Sequence, residues 1–265
     1  MKPNRVKQAL KAGKRVVGTM ISEIRNPEVA YILAAAGMDF LMVDTEHSSV
    51  GVESLQNIVR SARAAGLVPL ARVTDNQYPL ISRILDMGTM GVMVPRVNSP
   101  EEARNVVACA KYPPEGNRGF GARGVMTDYS AVTVREVVNW SNEHTLVIVQ
   151  VETAEALAQL ETITRVPGID VAVIGPNDLS ISLGIPGDFE HPRFKQAVEQ
   201  TFEICSKNGI SPGIHTSDLQ AVKRYRDMGM CFLMYATEAR MLLDAATTVV
   251  SELIGETAKM GKVVY

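Results

Sequence analysis

Short apolar runs recur along the chain, and each run is followed by a longer segment with a helical pattern. Most of these runs are continuously apolar rather than alternating, which is typical of strands buried on both faces of a parallel sheet. Eight strands are predicted, at residues 15–21, 40–44, 68–72, 91–96, 146–151, 171–175, 210–215 and 231–235.

The segments between the runs carry the signals of helix starts and helix ends. A capping residue, a proline and an early acid stand together at 26–28, and capping boxes stand at 99–102 and 217–220. Glycine adopts a positive φ without penalty, and it often follows the last turn of a helix. Glycines stand between a helical pattern and the next run at positions 37, 66, 88, 209 and 229.

Repeated strand–helix units without a break in composition predict one α/β domain over residues 1–265, a single closed (β/α)8 TIM barrel. An open, doubly wound sheet is the alternative. No Gly-x-Gly-x-x-Gly turn follows the first predicted strand, which favours the barrel.

Composition excludes several other classes of protein. The chain is 46% hydrophobic and 21% charged, as globular proteins are, and its net charge of −2 gives no basic footprint for nucleic acid. No run of apolar residues is long enough for a membrane span. The three cysteines are widely spaced, and no apolar leader begins the sequence, so we expect a cytoplasmic protein with buried thiols at Cys109 and Cys205.

Polar side chains collect where the predicted strands end. The active site of a TIM barrel lies at the carboxyl ends of its strands, so these residues are the candidates for chemistry. They are Asp44, Glu46, His47, Arg72, Arg96, Gln150, Glu152, Gly175, Pro176, Asn177, Asp178 and His215.

Glu152 and Asp178 follow neighbouring predicted strands, so their carboxylates are expected to converge. Two such groups hold a hard divalent cation such as Mg²⁺ or Mn²⁺, or they act as the acid–base pair of a glycosidase. Helix capping is the third interpretation of both residues.

Asp44 and His47 are three residues apart, a spacing that favours a proton-transfer dyad. The same spacing fits a loop histidine that makes a hydrogen bond to the backbone equally well. Arg72 ends an apolar strand, where its guanidinium needs an anion: a substrate carboxylate, a developing enolate or a barrel carboxylate. Gln150 either orients a ligand or makes a hydrogen bond in the core.

The remaining candidates are weaker. His144 precedes a strand and is expected at the surface of the opposite face, His191 is expected to cap a helix, and His215 is a secondary site candidate. Arg118 and Arg123 lie in a Gly-rich segment, where they would grip a substrate anion, contact a neighbouring subunit or stay solvated.

Several segments, taken together and in this order, resemble the HpcH/HpaI family of metal-dependent pyruvate aldolases, the 4-hydroxy-2-oxoheptanedioate and 2-dehydro-3-deoxyglucarate aldolase type. The resemblance covers about residues 17–235. Its segments are Val43-Asp44-Thr45-Glu46-His47, Pro69-Leu70-Ala71-Arg72, Gly91-Val92-Met93-Val94-Pro95, Tyr112-Pro113-Pro114, Gly116-Asn117-Arg118-Gly119, Val149-Gln150-Val151-Glu152-Thr153 and Ile174-Gly175-Pro176-Asn177-Asp178-Leu179-Ser180. One departure is Thr45, where many members have glycine.

The resemblance implies a pyruvate-type barrel and an aldolase that cleaves a 4-hydroxy-2-oxo acid to pyruvate and an aldehyde through a metal-stabilised enolate. It implies Mg²⁺, Mn²⁺ or Co²⁺ as the cofactor, held by Glu152 and Asp178. It also implies a homohexamer, a trimer of dimers that exchange C-terminal helices. The roles that it implies are catalysis by His47, Asp44 and Arg72, and substrate binding by Arg72, Gln150, Gly175, Pro176, Asn177 and, from a neighbouring subunit, Asp86.

Other mechanisms stay open at the level of sequence. A Schiff-base aldolase needs a lysine at a strand end, and none of the predicted strand ends carries one. A citrate-lyase-like or malyl-coenzyme-A lyase would need a coenzyme-A groove, for which no basic cluster is visible. A glycoside hydrolase would need aromatic platforms, but the chain is only 5% aromatic. A barrel that binds a 2-oxo acid without catalysis is the alternative outside enzymes.

Overall fold

A computed structural model describes residues 1–121 and 124–255 of the chain. Eight parallel strands pair in chain order, and the last pairs with the first, so the predicted (β/α)8 barrel is confirmed and the open sheet is excluded. The strands are β1 (Val16–Ile21), β2 (Phe40–Asp44), β3 (Val68–Arg72), β4 (Gly91–Val94), β5 (Leu146–Val151), β6 (Val171–Ile174), β7 (Ser211–Thr216) and β8 (Phe232–Thr237).

Helices follow the strands around the outside of the barrel. In the described part of the chain they are α1 (Arg5–Lys11), α2 (Val29–Ala35), α3 (Val52–Ala65), α4 (Tyr78–Asp86), α5 (Pro100–Ala110), α6 (Val134–His144), α7 (Ala154–Ala158), α8 (Leu160–Thr164), α9 (Pro176–Ser182), α10 (Pro192–Asn208), α11 (Leu219–Met228) and α12 (Glu238–Ile254). A short 3-10 helix covers Gly124–Thr127.

The sequence signals locate most helix ends correctly. Ser99 caps α5 by accepting a hydrogen bond from the backbone N–H of Glu102. The predicted box at 217–220 is off by one residue, because Asp218 rather than Ser217 caps α11. Helix α2 begins at Val29, after a turn in which the Asn26 side chain accepts from the Glu28 N–H. Gly209 ends α10 with φ of 70°, as predicted.

Alternation along the strands divides the apolar side chains between two cores. One set points outward and packs beneath the helices, as Leu41 and Val43 do. The other set fills the barrel, where the rings of Phe40 and Phe232 stack with centroids 4.5 Å apart. Helix α1 contributes to this inner core and covers the amino-terminal end of the barrel, so the carboxyl end is left for a site.

Helix α12 differs from the other helices in its exposure. Its first residue, Glu238, is buried, but Leu242, Leu253 and Ile254 are 62%, 81% and 67% exposed. Within the described ranges, no helix combines the length and the hydropathy that crossing a bilayer requires. Cys109, Cys205 and Cys231 are free thiols, and the first two are buried as predicted.

Candidate active site

A cavity of about 360 Å³ opens at the carboxyl ends of the strands, on the face where the candidates were expected. The alternation that points Met42, Leu70 and Ile148 into the barrel also points in the side chains two positions later, because the strand period is two. The predicted residues that line the cavity are Asp44, His47, Arg72, Gln150, Gly175, Pro176, Asn177, Asp178 and His215.

Arg72 and Asp44 form a buried, two-point ion pair. They are neighbours in the register of β3 and β2, and Arg72 Nε and Nη2 donate to Asp44 Oδ1 and Oδ2 at 2.8 and 2.7 Å. Burial alone would raise the pKa of Asp44, but the hydrogen bond and the charge of Arg72 outweigh it and lower that pKa. The pair therefore keeps both side chains ionised inside the barrel.

The loop after β2 is shaped by the same carboxylate. Asp44 accepts from the backbone N–H groups of Glu46 and His47 at 3.0 and 3.3 Å. The His47 ring is largely exposed, and its Nε2 lies 3.6 Å from Glu46 Oε1. Among the described residues, no hydrogen bond joins the Asp44 carboxylate to the His47 ring, so the predicted dyad stays a prediction and the geometry gives Asp44 a second role.

Thr45 ties this loop to the neighbouring strand. Its backbone N–H donates to the Arg72 carbonyl at 3.1 Å, and its hydroxyl donates to the same oxygen at 2.6 Å. The Thr45 hydroxyl thus adds a hydrogen bond to the Arg72 carbonyl that a glycine at this position could not make.

Glu152 is a buried carboxylate whose neighbours leave its charge poorly compensated. Oε1 accepts from the Arg96 backbone N–H at 2.7 Å, and Oε2 accepts from Gln150 Nε2. Burial is the main cause that raises the pKa of Glu152 to about 7, and the nearby charges of Asp178 and Glu46 add to it.

Gly175 leaves the space that this arrangement needs. A Cβ at this position would lie 2.7 Å from Gln150 Nε2 and 3.1 Å from Glu152 Oε2. A side chain at residue 175 would therefore displace the amide or the carboxylate.

In the structure, neither of the two carboxylates caps a helix. The Thr153 side chain caps α7 by accepting from the Ala156 N–H, and Glu152 does not. Gly175 stands at the N-cap of α9, with Asp178 in the first turn and no side-chain cap bond. Neither carboxylate therefore serves as a helix cap.

The donor set fits a hard divalent cation. Glu152 and Asp178 supply oxygens, and Gln150 Oε1 lies buried beside them without a hydrogen-bond partner. In residues 1–121 and 124–255, no group of three or more His, Cys, Asp or Glu side chains is arranged to hold a metal. A cation here would have two carboxylate ligands, and water or substrate would complete its coordination.

Sequence reasoning assigned no role to three residues that shape the site. Glu46 is buried and forms ion pairs with Arg72 at 3.2 Å and with Arg96 at 2.7 Å. Strand β4 ends at Val94, two residues earlier than predicted, and Arg96, with a φ of 51°, donates its backbone N–H to Glu152. Glu238 holds the loop after β1. The sequence does contain a signal for Glu46, because this residue lies in the loop directly after β2, where site residues are expected.

Other predicted residues lie away from the cavity. Asp86 ends α4 and pairs with Arg118, whose side chain is buried over the Tyr112 ring rather than solvated. Arg123 lies outside the described residues. The expectation for His144 is wrong, because it is buried and its Nδ1 accepts from the Asn4 N–H. His191 caps α10, as expected.

Comparison with known proteins agrees with the fold. The family model described as HpcH/HpaI aldolase/citrate lyase matches residues 19–245. The hydroxypyruvate/pyruvate aldolase of Sagittula stellata is 35% identical over 92% of this chain and 95% of its own length. The 4-hydroxy-2-oxo-heptane-1,7-dioate aldolase of Escherichia coli is 31% identical over 99% of both chains.

A solved structure, the HpcH/HpaI aldolase from Desulfitobacterium hafniense, superposes with a TM-score of 0.89 at 32% identity, over 96% of this chain and 98% of that one. These relatives are aldolases, and aldolases are carbon–carbon lyases. The chain belongs to the HpcH/HpaI aldolase/citrate lyase family.

Proposed function

We propose that this protein is a metal-dependent aldolase that cleaves a 4-hydroxy-2-oxo acid to pyruvate and an aldehyde, and that it catalyses the reverse addition. The observation that carries the proposal is a cavity lined by Asp178 and the paired Arg72, with the buried carboxylate of Glu152 next to the lining residues Gln150 and Gly175. The proposal treats residues 1–265 as one catalytic domain, since the strands close a single barrel.

Glu152 and Asp178 would hold the cation, for which Mg²⁺, Mn²⁺ and Co²⁺ are the candidates. When bound, a divalent cation supplies the Lewis acidity that stabilises enolate charge. Gln150 orients Glu152 by donating to its Oε2, and Gly175 leaves room for both side chains. Pro176 and Asn177 complete the wall against which the pyruvyl group would lie.

Arg72 binds the anionic oxygen of the pyruvyl group and stabilises negative charge as the carbon–carbon bond breaks. Its burial would lower its pKa, but Asp44 and Glu46 raise the pKa of Arg72 above its ordinary value. The guanidinium therefore remains a permanent cation, and Asp44 fixes its plane.

His47 takes the proton of the 4-hydroxyl during cleavage, directly or through one water. Its exposure at the cavity and its position beside Glu46 support this role. Asp44 acts indirectly, since it holds the loop that carries His47 and the guanidinium that faces the substrate.

We also propose a homohexamer, a trimer of dimers in the cytoplasm. The exposed apolar side chains of α12 support an exchange of C-terminal helices between subunits. Asp86 does not line the cavity of its own chain, which supports a role for it in a neighbouring site. Free thiols support a reducing compartment.

No lysine lines the cavity formed by the described residues, so a Schiff-base route has no nucleophile there. Among the described residues that line the cavity, Phe189 is the one Phe, Tyr or Trp side chain. A glycoside hydrolase would therefore have little aromatic surface on which to stack a sugar. Two alternatives remain: a lyase of the citrate or malyl-coenzyme-A type, and a barrel that binds a 2-oxo acid without catalysis. The absence of exchange in the experiment below would favour them.

The test is the exchange of pyruvate methyl protons in heavy water, which needs no aldehyde. We expect exchange with Mg²⁺, Mn²⁺ or Co²⁺ and none with a chelator. Glu152→Gln should abolish metal binding, measured by calorimetry, and should reduce exchange by at least about a hundredfold. Glu155→Gln, an exposed carboxylate nearby, is the control. Folded protein that shows no exchange with any of these metals would disprove the proposal.

A further inference from the structure

Arg96 connects two carboxylates that lie in different loops at the carboxyl end of the barrel. Its backbone N–H donates to Glu152 Oε1 and its Nη2 donates to Glu46 Oε1, both at 2.7 Å. Arg96 follows β4, whereas Glu46 follows β2 and Glu152 follows β5, so this residue joins three loops. Its φ of 51° is strained for any residue larger than glycine. Such backbone persists where the surrounding structure holds it, and it clusters at functional sites.

The Glu46 carboxylate lies between two guanidinium groups. Its Oε1 accepts from Arg96 Nη2, and its Oε2 lies 3.2 Å from Arg72 Nη1. Oε2 is buried, and within the described ranges it has no hydrogen-bond partner, so attraction between charges holds that side of the group. Loss of either cation would therefore leave the carboxylate to be drawn toward the other.

The oxygen that Arg96 holds also faces the ring of His47. His47 Nε2 lies 3.6 Å from Glu46 Oε1, and the ring lines the cavity. This distance is too long for a hydrogen bond but short enough for an ion pair once the ring is charged. Asp44 contacts the backbone N–H of His47 instead. Glu46 is thus the carboxylate that stands at the imidazole.

The proposed cleavage creates a need for a carboxylate at this position. When His47 takes the proton of the 4-hydroxyl, the ring becomes a cation. The electrons of the O–H bond form the carbonyl of the leaving aldehyde, and those of the broken carbon–carbon bond pass to the enolate. A carboxylate beside Nε2 stabilises the imidazolium that results.

We propose that Arg96 is a positioning residue for this proton transfer, because it holds Glu46 Oε1 beside the His47 ring, where the carboxylate stabilises the cation that cleavage creates. The inference rests on the proposed aldolase function and adds Arg96 and Glu46 to its machinery. Without the Arg96 side chain, Glu46 is drawn toward Arg72 and its Oε1 leaves the ring. The effect of Arg96 on the reaction therefore passes through Glu46.

The experiment measures kcat for the cleavage of 4-hydroxy-2-oxopentanoate with saturating Mn²⁺, with pyruvate followed by lactate dehydrogenase. Arg96→Met should lower kcat by about tenfold, the size expected when a catalytic group is misplaced by less than 1 Å. Arg96→Gln should act in the same way, and Arg96→Lys, which keeps a cation near Glu46, should recover most of the loss. Arg104→Met, at an exposed arginine of α5, is the matched control and should leave kcat unchanged.

A double-mutant cycle tests whether the effect passes through Glu46. Glu46→Gln removes the charge that Arg96 holds, so in that background Arg96→Met should change kcat by less than about twofold.

The affinity for Mn²⁺, measured by calorimetry, separates this role from a general loosening of the loop after β4. It should not fall in Arg96→Met, because the variant keeps the backbone N–H that holds Glu152. A loosened loop would weaken Mn²⁺ binding and lower kcat together. Thermal unfolding checks that each variant is folded.

An unchanged kcat in Arg96→Met would overturn the inference. So would an equal loss with and without the Glu46 charge, or a loss of Mn²⁺ affinity that parallels the loss of kcat. Pyruvate proton exchange in wild type keeps the two hypotheses apart. Exchange and cleavage in wild type, with no effect of Arg96→Met, overturn only the inference, whereas the absence of both reactions overturns the proposed function as well.

Discussion

Asp44 and Glu152 are both buried carboxylates at strand ends, yet their pKa values move in opposite directions. Asp44 faces a guanidinium along two hydrogen bonds, and its pKa falls. Glu152 faces an amide, a backbone N–H and two further carboxylates, and burial raises its pKa to about 7. The residue whose charge lacks a partner in the protein is the one suited to a cation from outside it.

The same reasoning applies to a buried base at the amino-terminal end of the barrel. Burial, together with the charge of Lys7, lowers the pKa of Lys111 to about 7. Its Nζ donates to the carbonyls of Asn142 and Thr145, and Asp170 and Glu115 are the acids that act on it. In the unfolded chain the lysine is protonated up to about pH 10.5.

We therefore predict that Lys111 makes the wild type more stable as pH rises from about 7 to about 10, because the unfolded state binds more protons in that window. Lys111→Met should lack this rise, so the difference in unfolding free energy between the two proteins should change with pH in favour of wild type. Urea unfolding at about pH 7 and about pH 9.5 measures it. Lys14→Met, at an exposed site, serves as control, and a constant difference would contradict the prediction.

At the scale of elements, the start of α12 fixes the loop that follows β1. The Glu238 carboxylate is buried and accepts from the backbone N–H groups of Ser22, Glu23 and Ile24, at 3.0, 2.6 and 2.7 Å. Ser22 and Glu23 line the cavity, so a residue of the last helix positions part of its wall.

Glu238→Ala should release this loop and leave three backbone donors without their partner. We expect a loss of about 1–3 kcal/mol in stability, and a KM for the aldehyde that rises more than the KM for pyruvate. Steady-state kinetics with each substrate varied in turn, beside thermal unfolding, measures both effects. Glu252→Gln, exposed on the same helix, should change neither, and an equal rise in the two KM values would count against the loop as the cause.

At the scale of the whole molecule, the exposed apolar residues of α12 bear on assembly. Leu253 is 81% exposed and Ile254 is 67% exposed in the single chain. Contact of this apolar surface with water is unfavourable in free energy, so we expect another surface to cover it.

Leu253→Glu should therefore reduce the molar mass in solution from that of a hexamer to that of a smaller species, since a charge would be buried at the contact. Light scattering after size-exclusion chromatography measures the mass. Val134→Glu, at an exposed position of α6, is the matched control. A wild type that is monomeric, or a variant with unchanged mass, would exclude this helix as a contact.

The barrel can be predicted from local sequence alone, because each strand and helix is encoded in local patterns: continuous apolar runs, caps and terminal glycines. Local sequence also indicates the polar residues of the site, because they stand at the ends of the predicted strands. A strand period of two then sends Asp44, Arg72, Gln150 and His215 inward. These features depend on neighbours within a few residues.

Which side chains meet depends on how the chain closes into the barrel. Asp44 bonds to Arg72 rather than to the ring of its neighbour His47, and Glu238 bonds to Ser22 across 216 residues of chain. His144 was expected at the surface but is buried beside Asn4. Closure of the barrel brings such distant residues together, and no local pattern encodes the partner that a buried charge or a buried imidazole will find.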